Sequence, residues 1–152
     1  MDINEKIIEE IRKFLEKLQI IPDSIDIKEH KLHPIFSIKT KDSAILIGNK
    51  GETLQAINYL IKKIIENSGL SEEVRFLVDV NRYQERKLEE LEKQAELLAD
   101  RARAFKRDVE LDPMSAYERM VIHSLFANDP HIETFSAGEG KFRRITLRYL
   151  GE

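Results

Sequence analysis

Ile47-Gly48-Asn49-Lys50-Gly51-Glu52-Thr53-Leu54 is the stretch on which the reading of the fold turns. Its two glycines stand three apart, after a short apolar run from Ser43 to Ile47. Beyond them Leu54, Ile57, Ile61, Ile64 and Ile65 repeat with the spacing of a long helix. A turn without Cβ atoms at its ends lets another backbone approach closely, and N–H groups at the following helix start can face phosphate oxygens. Lys50 adds a flexible positive charge. Alone, a Gly-x-x-Gly is more often an ordinary turn between two helices, so its meaning depends on the flanking elements.

Upstream, Ile7, Ile8, Ile11, Leu15 and Leu18 mark one buried face of a helix from Ile3 to Leu18, which Pro22-Asp23 breaks. Ser24 to His30 and Pro34 to Thr40 alternate apolar with polar residues, as a short antiparallel pair does. Downstream, Gly69 ends the second long helix, and the β-branched alternation of Val74 to Val80 predicts a third strand. Leu88, Leu91, Ala95, Leu98, Ala102 and Phe105 then step by three and four, predicting a helix at about 82–107 with one narrow apolar seam. That seam suits packing against neighbouring domains and pairing with a second chain equally well. Glu89 and Lys93 stand at the favourable i, i+4 spacing on another face. Val109 to Leu111 suggests a short strand, and Asp112-Pro113 suit the N-cap and first position of a helix to about Ala127. Asn128-Asp129-Pro130 ends it, and Ile132 to Ser136 and Phe142 to Leu150 flank Gly138-Glu139-Gly140 as a hairpin.

Composition narrows the function classes. The 152 residues are 41% hydrophobic and 35% charged, enough for packed cores, and no apolar run approaches the roughly 20 residues that span a bilayer. Met1 to Glu10 alternates charge with isoleucine and lacks the features of a signal peptide, and cysteine is absent; the expectation is a cytoplasmic protein with no direct membrane insertion. A formal net charge of -3 argues against gripping duplex DNA by bulk attraction. Any nucleic-acid site must therefore be local, and Lys62-Lys63, Arg101 to Arg107, and Arg143-Arg144 with Arg148 are the cationic places.

The order helix, strand, strand, helix, loop, helix, strand, together with Ile47 to Leu54, resembles the type II KH domain, whose signature is Ile-Gly-x-x-Gly-x-x-Ile. The resemblance implies that Gly48, Asn49, Lys50 and Gly51 contact the backbone of about four nucleotides while an apolar groove receives the bases. Ile47 and Leu54 suit that groove or the core, with periodicity favouring the core.

A second constellation follows, Pro113-Met114-Ser115-Ala116-Tyr117-Glu118-Arg119-Met120-Val121-Ile122-His123. Arg119 and His123 are four apart, so on a helix they share a face and can grip one phosphate together. The bland alternative is an arginine paired with an acid and a histidine bonded to a neighbour. The surrounding residues resemble the R-three-H domain, named for its Arg-x-x-x-His pair, and in particular that of the Jag (SpoIIIJ-associated) family. The likeness runs from about Ile3 to Leu150. It implies an α+β protein: a type II KH domain (α-β-β-α-α-β) over 1–80, then an R-three-H domain over 81–152, helices on a three-stranded sheet, which includes the connecting helix. It assigns Arg119 and His123 to a surface for single-stranded nucleic acid. Arg143, Arg144 and Arg148 extend that surface or simply face water. Many Jag proteins have a further N-terminal domain, whereas this chain starts at the first helix, so no role of that part is carried over.

The function expected is a non-catalytic, single-stranded RNA-binding regulator. Single-stranded DNA binding, or an adaptor or dimerisation role for the long helix, are the alternatives. Jag-like proteins associate with a second, small KH protein, so that partner or a homodimer is also implied. No cofactor or metal is expected: His30 and His33 fall in a turn ending at Pro34 rather than on a helix, and no nucleotide-triphosphate loop or hydrolase motif is present.

Overall fold

A computed structural model describes residues 2–69 and 73–151. The chain divides into two compact units, Met1–Glu85 and Arg86–Glu152.

The first unit runs α1 (Ile3–Lys17), β1 (Ser24–Lys28), β2 (Ile35–Lys39), α2 (Ser43–Ile47), a single 3-10 turn (Asn49–Gly51), α3 (Glu52–Glu66) and β3 (Leu77–Val80). This is the α-β-β-α-α-β order expected of a type II KH fold. Asp2 starts α1 by a capping box with Glu5. The helix ends earlier than its apolar pattern, because Gln19 turns into the left-handed region and Ile20 N–H reaches back to Leu15 O at 2.9 Å. Leu18 is therefore 46% exposed, and Ile20 is buried instead. In the sheet β2 is central, antiparallel to β1 and parallel to β3. Ile7, Ile11 and Leu15 of α1 and Leu54, Ile57, Ile61 and Ile65 of α3 join Phe36, Ile38, Val78 and Val80 in one core. Ile64, which the spacing put on the buried face, is exposed. The third strand is shorter than expected because Glu73 to Phe76 make no ladder, and 70–72 lie outside the described residues. Asn58 of α3 answers β3's edge: Nδ2 donates to Val78 O at 2.9 Å, and Val78 N–H donates to Oδ1 at 2.7 Å.

The helix α4 (Tyr83–Phe105) starts in the first unit. Asn81 and Arg82 make a left-handed turn, φ 48° and 61°. The fully buried Asp79 carboxylate then accepts the N–H groups of Val80 and Gln84 at 2.8 Å and of Glu85 at 3.1 Å. Asn81 pairs with Thr40 through both amide atoms, at 3.0 and 2.8 Å.

The second unit holds the rest of α4, β4 (Val109–Glu110), α5 (Ala116–Leu125), β5 (Ile132–Ala137), a 3-10 turn (Gly140–Phe142) and β6 (Arg144–Tyr149), with sheet order β4-β6-β5, all antiparallel. Ala95, Ala99 and Ala102 of α4 pack with Leu111, Ile122, Phe126, Ile132, Ile145 and Leu147. Ala95 and Ala102 of the seam are thus buried inside this unit, but the buried line is not quite the seam of the sequence. Positions on a strict heptad drift about 20° per repeat around a straight helix. Leu91 and Leu98 accordingly reach only the core margin, Phe105 is 71% exposed, and Ala99 takes the centre. The cap of α5 also differs. Ser115, not Asp112, is the N-cap, in a capping box with Glu118, and the helix ends at Leu125, short of Ala127.

Two outcomes follow from this packing. Ala99→Leu should overfill a site with no exposed surface and cost about 1–3 kcal/mol in urea unfolding. Asp79→Ala should cost about 1–3 kcal/mol, because it strands buried N–H groups. Burial pushes the Asp79 carboxyl up, against the pull of the three N–H groups. Its contribution to stability is therefore complete at low pH and declines as pH rises from the ordinary carboxylate range through its folded value. Asp79→Asn should remove that decline from the pH–stability profile.

Candidate nucleic-acid interface

In the first unit the candidate site is the link between α2 and α3. Gly48 has φ +75° and Gly51 φ +82°, both left-handed conformations that suit glycine. A Cβ on Gly48 would lie 2.1 Å from Thr53 Oγ1, and one on Gly51 would lie 2.8 Å from Tyr83 Cε1. The glycines are thus needed by the loop's own packing, quite apart from any ligand. Asn49 and Lys50, between them, are exposed, with Lys50 also left-handed at φ 53°. Among the described residues no side chain caps α3, although Glu52 sets an acid beside its first-turn N–H groups. Leu54 is fully buried and Ile47 packs at the core margin.

In the second unit Arg119 and His123 are half-buried on one side of α5. Arg119 Nη1 donates to the Met114 carbonyl at 2.6 Å, and among the described residues no carboxylate is paired with this guanidinium. His123 Nδ1 lies 2.6 Å from Thr134 Oγ1 on β5. Burial, and then the positive charge of Arg119, hold the imidazole below its usual pKa. Two residues along the same strand face, Ser136 Oγ accepts Arg143 Nη2 at 2.9 Å, while Arg143 Nη1 donates to Gly138 O at 2.7 Å. Met114 N–H closes the circuit by donating to Arg143 O at 3.2 Å. The fold therefore gathers Arg119, His123 and Arg143 around the inner row of β5, and gives Arg143 a second task, bracing the hairpin.

Arg144 lies elsewhere. It alternates to the other sheet face, where Nη1 pairs with Glu110 at 2.8 Å. Arg148 is on that same face, its guanidinium 5.1 Å from the Phe135 ring centroid. Of the cationic run 101–107, Arg103 is bonded to Asp100 and Asp129. The polar partners Thr134 and Ser136 belong to neither sequence motif, although the alternation Ile132-x-Thr134-x-Ser136 puts them on the face toward α5.

An α+β unit whose Arg-x-x-x-His helix packs on three strands defines an R-three-H protein, and residues 89–149 match the family model of the R-three-H domain. The chain is 33% identical over 146 residues, 95% of its length, to the RNA-binding protein KhpB of Clostridium symbiosum. It is 31% identical over 82% of its length to the RNA-binding protein KhpB of Bacillus subtilis, and 32% identical over 81% to that of Lactiplantibacillus plantarum. These matches bear out the resemblance of the sequence to the Jag family: residues 89–149 match an R-three-H domain, and the relatives are RNA-binding proteins named KhpB. It spans 65%, 61% and 38% of the three relatives' own lengths, in that order.

The loop geometry separates packing from contact. Gly48→Ala and Gly51→Ala should each lose more than about 1 kcal/mol in urea unfolding, from strain at positive φ. Lys50→Asn should keep stability or raise it slightly, because asparagine adopts the left-handed region more readily than lysine. Loss of binding in a glycine variant then reports on folding, and loss in a Lys50 variant on contact.

Proposed function

We propose that the chain is a single-stranded RNA-binding regulatory protein without a catalytic site, contacting the RNA backbone through Arg119 and His123 in its R-three-H unit and through the Gly48–Gly51 loop in its KH unit. One observation carries the reading. Arg119 is a half-buried cation with no acid partner among the described residues, beside an imidazole whose proton it disfavours. A phosphate oxygen answers both: it accepts from the guanidinium and offsets the repulsion felt by a protonated His123. His123 Nε2 and the remaining Arg119 donors have no bonded partner among the described residues, so they can reach a ligand while Thr134 and Met114 hold the other ends. RNA is chosen over DNA because the relatives are named RNA-binding proteins and a KH unit stands beside the R-three-H unit. Asn49 and Lys50 are exposed where a backbone can reach them. Arg143 contributes mainly by holding the hairpin, and Arg144, matched by Glu110, contributes less than Arg119.

Binding measured with single-stranded RNA, single-stranded DNA and duplex RNA tests this. Arg119→Ala and His123→Ala should each weaken single-stranded RNA binding by about 10- to 100-fold with folding intact, the scale of a charged hydrogen bond. Arg119→Lys should restore only part, because the planar fork is lost. Changing Asn49 and Lys50 together to aspartate should also weaken binding. Equal affinity of all these variants for RNA sinks the reading; preference for single-stranded DNA moves it to that ligand.

The pH response has a definite sign. Since His123 titrates below the ordinary value of about 6.5 in the free chain, and phosphate raises it, binding takes up a proton. Affinity should rise as pH falls from 7 through that range, and His123→Ala should lack the rise. Free-chain NMR titration should show the His123 value moving up in Arg119→Ala.

A further inference from the structure

The hairpin between β5 and β6 carries an aromatic ring that the packing does not use. Phe142 is 61% exposed and belongs to neither core. Its backbone is nevertheless fixed: Phe142 N–H donates to Glu139 O at 3.1 Å, and Arg143 N–H to Gly140 O at 3.2 Å. Arg143 braces the same turn from Gly138 O and Ser136 Oγ, as described above. A ring presented from a hydrogen-bonded turn costs little ordering when something binds to it.

Its neighbours are cations. Lys141 Nζ lies 5.4 Å from the ring centroid, and Arg143 follows directly. The Arg143 carbonyl accepts from Met114 N–H, and the Met114 carbonyl accepts from Arg119 Nη1. The ring therefore stands one residue from the hydrogen-bonded chain that holds the phosphate-seeking guanidinium. Phe135 on β5 is less exposed, at 37%, and lies under the planar Arg148 guanidinium, whereas the cation beside Phe142 is a flexible lysine ammonium.

The geometry points to Phe142 as a base-stacking platform: a nucleobase of single-stranded RNA lies on its ring while a neighbouring phosphate is held by Arg119 and His123. This inference rests on the RNA-binding reading above. Stacking on an aromatic side chain tolerates any base, because every base has a π face, and a duplex hides those faces inside its stack. Phe142 thus supplies what the cations lack, a preference for unpaired strands over any other polyphosphate.

The test uses the full chain and a labelled single-stranded oligoadenylate, with the same strand made abasic as control. Phe142→Ala and Phe142→Leu should weaken oligoadenylate binding by about 5- to 100-fold, the scale of one stacked base, and Phe142→Trp should restore it. The slope of affinity against salt should stay the same in the Phe142 variants and become shallower in Arg119→Ala, because only the latter removes a phosphate contact. The abasic strand should bind the wild-type chain and the Phe142 variants alike. The melting temperature of Phe142→Ala should match the wild type; if it does not, the Leu and Trp variants decide alone. Leucine binding as well as tryptophan, or Phe142→Ala binding as well as wild type, overturns the stacking role. If Arg119→Ala loses affinity while Phe142→Ala does not, the RNA-binding reading stands and this inference falls. If neither variant loses affinity, or the wild type fails to bind the strand at all, both fall.

Discussion

A single buried carboxylate joins the last strand of the first unit to the helix that leads into the second. Asp79 sits on β3, fully out of solvent, and accepts three backbone N–H groups across the left-handed turn at Asn81 and Arg82. Two of those, from Gln84 and Glu85, are first-turn donors of α4 that have no partner within the helix. Burying a carboxylate opposes ionisation, and only this set of N–H donors makes the arrangement tolerable. The consequence reaches the candidate site. With the start of α4 fixed, Tyr83 is held against Gly51, and the Gly-x-x-Gly turn takes its shape from a residue 32 positions away.

Charges in the second unit sort by whether an acid has been provided. Arg103 has Asp100 and Asp129, and Arg144 has Glu110. Asp129 in turn accepts from His131 and Ile132 N–H, so the Arg103 contact fastens the loop between α5 and β5. These arginines are structural ties in a protein of net charge -3. Arg119 and Arg143 differ, since among the described residues their acceptors are neutral oxygens: the Met114 carbonyl for Arg119, and Gly138 O and Ser136 Oγ for Arg143. A half-buried guanidinium left in that condition raises the local potential and adds to the burial that holds the His123 imidazole below its usual pKa. Local positive potential in an acidic chain favours a few well-placed phosphate contacts over a long electrostatic track.

The parts of this architecture that were legible in the sequence are those with short-range patterns. Glycine spacing, apolar periodicity and the i, i+4 placement of Arg119 and His123 are all local, and so the α+β fold class and the helix carrying the pair could be read directly. The apolar pattern of α4 repeats at 3.5 residues, whereas a straight helix runs at 3.6, which is why Phe105 lies off the core and Ala99 in it. At the start of α5 two cap signals competed. Asp112-Pro113 fits the N-cap and first position, but Ser115-x-x-Glu118 satisfies two N–H groups reciprocally, and that box prevailed. Asp79, Asn58 and the Arg103–Asp129 tie left no such signature, because each joins residues that no periodicity relates.

The same distinction separates the glycines of the first unit from the residues between them. Gly48 and Gly51 look functional in the sequence because backbone approach to a ligand calls for glycine. In the structure the approach is already taken, by Thr53 and by the Tyr83 ring. Glycine at both ends is therefore required whether or not RNA is bound, and what it achieves is to hold Asn49 and Lys50 outward in a conformation that asparagine or glycine would adopt more readily than lysine. The strain of a left-handed lysine is small but real, and the core does not need it, since Lys50 is exposed. A long, exposed cation at that point, where a better-suited turn residue would serve the fold, is in keeping with the phosphate contact proposed for this loop.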